Sequence, residues 1–201
     1  MIEGGLLVEN PQIIVLAGPN GAGKSTAAVH LLPDEIAFIN ADEIAKTLDT
    51  YPSREADLRA GRLALTQLDR LEERRASLGV ESTLAGLTLA LRIVRLRGLG
   101  YRFRLIFLWT PNAEFSIRRV ASRVEAGGHH VPDGAVRRRH RAGLVNFFGR
   151  YRPIADKWEV YNSTSPTPTL VAEGRLDEVP SIFDPELWAR MREGGRDEGS
   201  G

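Results

Sequence analysis

Ile13-Ile14-Val15-Leu16-Ala17 followed by Gly18-Pro19-Asn20-Gly21-Ala22-Gly23-Lys24-Ser25 is the stretch that decides the fold. The first five residues form a short continuous apolar run, which suits a strand buried on both faces of a parallel sheet. The next eight match G-x-x-x-x-G-K-[ST] at every fixed position. Small residues there let successive backbone N–H groups turn inward around phosphate oxygens, and the N-terminus of the next helix adds the positive end of its dipole. In such a loop Lys24 reaches the β- and γ-phosphates of a nucleoside triphosphate and Ser25 ligates Mg²⁺. ATP contacts are therefore expected from Gly18 through Thr26. Lys24 is one of only three lysines, with Lys46 and Lys157, in a chain whose other cations are all arginines.

Outward from the loop, strands and helices alternate. Lys24–Leu32 reads as a helix ended by Pro33, and Ile36–Asn40 as a second strand after which Asp42 opens a helical turn. A long helix is expected from Ser53 to Ser77, with Leu58, Leu63, Leu65, Leu68 and Leu71 at near-helical spacing. Gly79–Glu81, Phe103–Trp109 and Trp158–Asn162 read as the next three strands, and Leu170–Glu173 as a sixth. Helices fall at Leu87–Leu96, at Ala113–Ala126 capped by Asn112, from Asp133 (as cap) to Tyr151, and at 184–192. The pattern predicts a three-layer α/β phosphate-loop kinase fold: a parallel sheet of five or six strands flanked by helices, with a helical lid over about 112–151. One domain is expected over 1–192, with a flexible tail at 193–201. Ligands of such sheets bind beyond the carboxyl ends of the strands.

Composition narrows the function. The chain has 201 residues, 42% apolar and 26% charged, which fits one soluble domain. There is no cysteine, so disulfides, thiolate metal sites and cysteine nucleophiles are excluded. No apolar run approaches the ~18–20 residues of a membrane span, and residues 1–12 lack a secretory pattern, so a cytoplasmic protein is expected. The net charge of +1, from 27 basic and 26 acidic residues, argues against a nucleic-acid coat. No Leu-Ser-Gly-Gly signature of transporter ATPases and no Asn-Lys-x-Asp motif of switch GTPases follows the loop. What remains is a small-molecule kinase with a carboxylate after the second strand, or a phosphate-loop ATPase or polynucleotide kinase acting on nucleic acid.

The ordered set Ile14–Thr26, Phe38-Ile39-Asn40-Ala41-Asp42-Glu43-Ile44-Ala45, Val80-Glu81-Ser82-Thr83-Leu84, Ser122–Pro132 and Val160-Tyr161-Asn162-Ser163 resembles the zeta toxin family of phosphate-loop kinases over about residues 12–175. That resemblance implies ATP- and Mg²⁺-dependent phosphorylation of a nucleotide-sugar hydroxyl, best known for UDP-N-acetylglucosamine, and in some members a neutralising antitoxin partner. It implies Asp42 as general base; the residue alternatively caps the following helix. It places Glu81 and Thr83, with Ser82 between them, on the acceptor; a plain polar strand exit is the competing reading. Arg118, Arg119, Arg123, Arg137, Arg138, Arg139 and Arg141 crowd two helices around a Gly-Gly-His-His-Val-Pro turn, as in a closing lid whose cations neutralise phosphoryl charge. Arg123 matches the first lid arginine of the family. The place of the second holds His129 and His130, with Arg138 and Arg139 as further candidates. Asn162, after the fifth strand, is a candidate contact to adenine, or a turn residue.

Overall fold

Ile13, Val15 and Ala17 lie on one face of their strand and Ile14 and Leu16 on the other, and all five are fully buried. The first set joins a large core with Leu68, Leu96, Phe103 and Phe147, and the second a smaller core with Ala27 and Leu108. A strand with apolar partners on both faces needs helices on both sides, and it has them. A computed structural model describes residues 10–128 and 130–196. In chain order they form β1 (Gln12–Ala17), α1 (Lys24–Leu31), β2 (Ala37–Ile39), α2 (Ala41–Lys46), α3 (Arg54–Glu73), β3 (Leu78–Ser82), α4 (Thr88–Gly98) and β4 (Arg102–Trp109). There follow α5 (Ala113–Glu125), α6 (Asp133–Asn146), a π-helical turn (Phe147–Tyr151), β5 (Lys157–Asn162), β6 (Thr169–Arg175), β7 (Ser181–Ile182) and α7 (Pro185–Gly194).

One sheet of seven strands runs in the order β2-β3-β1-β4-β5-β6-β7. The five strands from β2 to β5 are mutually parallel, and their carboxyl ends share one edge. The last two strands differ from the expected all-parallel sheet: β6 is antiparallel to β5, and β7 to β6. The connection from Asn162 to Thr169 holds no helix, and a parallel return needs a crossover of about a dozen residues or more, so the chain could only turn back.

Two local expectations are also corrected. The inward face of α3 is Ala56, Ala60, Ala64 and Leu68, at strict four-residue spacing, while Leu58, Leu63 and Leu65 are exposed. Small residues let α3 lie close on its neighbours, which leucines at those positions would prevent. Asp133 is the first residue of α6 rather than its cap; the carbonyl of Pro132 takes the N–H groups of Ala135 and Val136. Of the expected tail, 197–201 lie outside the described residues, and α7 extends into it as far as Gly194.

The helix α6 and the π-helical turn that follows it are pinned to the loop after β3. Asn146 Nδ2 donates to the carbonyl of Leu84 at 2.7 Å, and Tyr151 Oη to that of Gly86 at 2.7 Å. A Cβ at Gly143 would stand 2.3 Å from the carbonyl oxygen of Thr83, so only glycine allows this approach. Gly143→Ala is expected to destabilise the fold by about 1–3 kcal/mol, the usual cost of overpacking. Urea unfolding checks this through a lowered midpoint at unchanged slope.

Candidate active site

The turn after β1 runs through six residues, and three positions in it require glycine: Gly18, Gly21 and Gly23 all have positive φ. Gly21 has φ +77°, and a Cβ there would lie 2.6 Å from the carbonyl of Ser116. Gly23 is the left-handed residue that starts α1, with φ +79°. Between them Ala22 is buried, and its N–H donates to the carbonyl of Pro19 at 3.2 Å. Lys24, 5% exposed, folds back into the loop, its Nζ donating to the carbonyls of Gly18 (2.9 Å) and Pro19 (3.0 Å). Burial pushes its pKa below the ordinary lysine value, against the pull of Glu81 first and then Asp42.

Strand order assembles the next part. Since β3 lies between β1 and β2, residues after all three strands meet. Glu81 Oε1 lies 3.4 Å from Lys24 Nζ, while its Oε2 accepts from Ser25 Oγ at 3.0 Å and from Asn40 Nδ2 at 2.7 Å. Asn40 also donates to Ser25 Oγ at 3.2 Å. The other end of the Asn40 amide caps α2: its Oδ1 accepts from the N–H groups of Asp42 (2.9 Å) and Glu43 (3.4 Å). Asp42 is therefore not the helix cap. Ser82 Oγ accepts from the N–H of Leu84, and Thr83 presents its carbonyl to Gly143.

Three cavities adjoin at this edge. The central one, about 520 Å³, is lined by Asn20, Lys24, Ser25, Asp42, Glu81 and Arg123 among others. On one side it shares Gly23, Thr26 and Arg119 with a larger cavity of about 680 Å³ between α1 and the Ser163–Pro168 segment. On the other it shares Asn20 and Asp42 with a smaller one of about 240 Å³, which Asp57, His130 and Arg139 also line. Ser82 and Thr83 line neither the central nor the smaller cavity.

The arginines of α5 and α6 divide by environment. Arg119 donates to the carbonyl of Ser163 at 2.6 Å and lies 5.3 Å from the ring centroid of Phe115. Arg139, half-buried, donates to Asn20 Oδ1 at 3.3 Å, which ties α6 to the turn after β1. Arg138 is exposed and lines none of the three cavities. Arg137 pairs with Glu114 at 3.1 Å, both exposed, joining α6 to α5. His129 lies outside the described residues; its neighbour His130 borders the smaller cavity. Asn162 Oδ1 accepts from the N–H of Thr164 and so holds its own turn. The next residue carries more: buried Ser163 donates from Oγ to the carbonyl of Ala22 at 2.5 Å, joining the end of β5 to the turn after β1. Sequence reasoning gave Asn40 and Asp57 no role and took Ser163 only within the Tyr161-Asn162-Ser163 segment, as an adenine contact or a turn; Asn40 and Ser163 carried a signal, as polar residues closing apolar strands.

The model of the zeta toxin family matches residues 7–165. The chain belongs to that family. An uncharacterized protein of Haemophilus influenzae is 28% identical over 140 residues, which are 70% of this chain and all of that one. Among solved structures, the AvrRxo1-ORF1:-ORF2 complex with ATP aligns at TM-score 0.70 and 18% identity, over 96% of this chain and 66% of that one. This zeta toxin chain thus spans just under two thirds of that relative's length. The PezAT toxin–antitoxin system of Streptococcus pneumoniae aligns at TM-score 0.61 and 17% identity, over 96% and 89%. The mostly parallel seven-stranded sheet is thereby the P-loop kinase-like fold of the zeta toxins. Among the described residues no helix is long and apolar enough to cross a membrane.

Proposed function

We propose that this protein is an ATP-dependent kinase that transfers the γ-phosphoryl group to a hydroxyl of a small molecule, with a nucleotide sugar such as UDP-N-acetylglucosamine as acceptor. One observation carries the reading: Asp42 stands in the wall shared by the cleft over the Gly18–Thr26 loop and a second, smaller cavity. A carboxylate at that junction faces the phosphoryl group from one side and an acceptor hydroxyl from the other. The larger cavity suits the base of ATP, and the loop Gly18–Thr26 its phosphates. Lys24, Arg119 and Arg123 supply positive charge against the negative charge of the transferring group. Asp42 orients the acceptor hydroxyl and takes its proton.

The oxygen donors Ser25 Oγ and Glu81, brought within 3.0 Å of each other, fit a hard cation such as Mg²⁺, which takes one or two protein oxygens and fills its shell with phosphates and water. Ser25 and Glu81 would hold Mg²⁺ there, and the ion would supply neutralisation of phosphate charge. An intracellular site of action follows from the use of ATP. A protein antitoxin is proposed as partner on family grounds, since PezAT is named as a toxin–antitoxin system.

The test is incubation with labelled ATP and a panel of nucleotide sugars, nucleosides and a 5′-hydroxyl oligonucleotide, read by mass spectrometry. A gain of one phosphate on a nucleotide sugar is the expected result. Transfer only to the oligonucleotide, or to nothing in the panel, overturns the reading. Arg123→Ala should lower kcat by about tenfold or more with little change in KM for ATP, because its charge acts on the transition state. A change in KM alone would make the arginine a ground-state binder.

A further inference from the structure

Asn40 follows β2, caps α2 and is 5% exposed. An asparagine amide offers two acceptor positions on its oxygen and two donor hydrogens on its nitrogen. All four are engaged here, and by different parts of the fold. Oδ1 takes the N–H groups of Asp42 (2.9 Å) and Glu43 (3.4 Å) in the first turn of α2. Nδ2 donates to Glu81 Oε2 on β3 at 2.7 Å, and to Ser25 Oγ in the first turn of α1 at 3.2 Å. Only one orientation of the amide satisfies these partners, because backbone N–H groups need its oxygen and a carboxylate needs its nitrogen. Lys24 stands 3.4 Å from the other oxygen of Glu81, Oε1, so that both carboxylate oxygens are held. Other side chains do not reproduce the arrangement: aspartate has no donor, glutamine is one carbon longer, and serine is too short to reach Glu81.

We propose that Asn40 is a positioning residue that sets the two sides of the reaction site in register. Its nitrogen holds the oxygen donors Ser25 and Glu81 on the phosphate side. Its oxygen holds the turn of α2 that carries Asp42 on the acceptor side. Sheet order gives this link its importance. β2 is an edge strand beside β3, so α2 is placed relative to the loop after β1 only across β3. Asn40 spans that distance with one planar group. The inference rests on the kinase reading above. The ordinary role of asparagine at this place, capping a helix, predicts a loss of stability and no effect that runs through Glu81.

Substitution separates the two ends of the amide. Serine caps a helix about as well as asparagine, whereas alanine does not. Asn40→Ser and Asn40→Ala are made in the whole protein, each alone and with Glu81→Gln. The readouts are transfer from labelled ATP to UDP-N-acetylglucosamine, thermal unfolding, and calorimetric titration with ATP in the presence and absence of Mg²⁺. Asn40→Ala should lower both the unfolding midpoint and transfer. Asn40→Ser should bring the midpoint back to within a few degrees of the parent and leave transfer lower by about 10–100-fold, the effect of losing a hydrogen bond to a charged group. Its affinity for ATP without Mg²⁺ should match the parent, while the gain in affinity on adding Mg²⁺ should shrink. In the Glu81→Gln background Asn40→Ser should cost less than about twofold more, because both changes remove the same interaction. Should either variant lose stability, this cycle still decides. Recovery of transfer together with stability in Asn40→Ser reduces Asn40 to a helix cap and overturns the proposal. Additive losses with Glu81→Gln, or a Mg²⁺ gain equal to that of the parent, overturn it as well. The calorimetric arm needs no acceptor. A parent protein that binds ATP with Mg²⁺ but transfers to nothing therefore removes the kinase reading, and the Mg²⁺ gain still decides whether Asn40 arranges the oxygen donors.

Discussion

Lys24→Ala is expected to lower phosphoryl transfer by at least about 10²–10³-fold, the loss seen when one preorganised electrostatic contact to a developing charge is removed. The fold should survive. Lys24 makes its contacts within the loop and to Glu81. Without it Glu81 keeps the hydrogen bonds from Ser25 and Asn40, so no buried carboxylate is stranded. Labelled-ATP turnover beside a thermal unfolding curve separates the two effects: transfer lost, midpoint within a few degrees of the parent. Normal turnover in the folded variant would remove the phosphate-binding role from this loop. The burial that lowers the Lys24 pKa adds a second readout. Only the ammonium form neutralises phosphate, so activity should decline with rising pH earlier than an exposed lysine would cause.

Much of this architecture was open to reading in the chain, and the limits of that reading have a physical pattern. The loop at 18–25 was legible because its chemistry is local: glycines at left-handed positions, a lysine and a serine in fixed register. The five parallel strands were legible because burial on both faces leaves continuous apolar runs. The network around Glu81 was not, because it depends on strand order. Asn40, Glu81 and Ser25 meet only since β3 inserts between β1 and β2, and no local pattern encodes that neighbour relation. The bond that Ser163 makes was hidden for the same reason: its partner Ala22 is 141 positions away. The antiparallel β6 was the avoidable miss, because the short Ser163–Pro168 connection already excluded a crossover.

Asp42→Asn should abolish most transfer while ATP binding persists, with kcat lower by about 10²–10⁴-fold, the span of general acid–base contributions. The choice between a base and a helix cap turns on Asn40, whose side chain already takes the N–H groups of Asp42 and Glu43. The substitution therefore leaves the cap of α2 in place, and α2 keeps Glu43 in its first turn for the dipole. Calorimetric titration with ATP and an unfolding curve should both match the parent, so that the loss is assigned to the reaction step. Near-parental kcat would take Asp42 out of the chemistry and leave it a first-turn acid. The size of the loss carries a further distinction. In a loose phosphoryl-transfer transition state the acceptor proton leaves late, so a carboxylate acts first by orienting the hydroxyl. An amide can still accept that hydrogen bond but cannot take the proton. A loss near 10² thus marks a role dominated by orientation, and one near 10⁴ a role dominated by proton uptake.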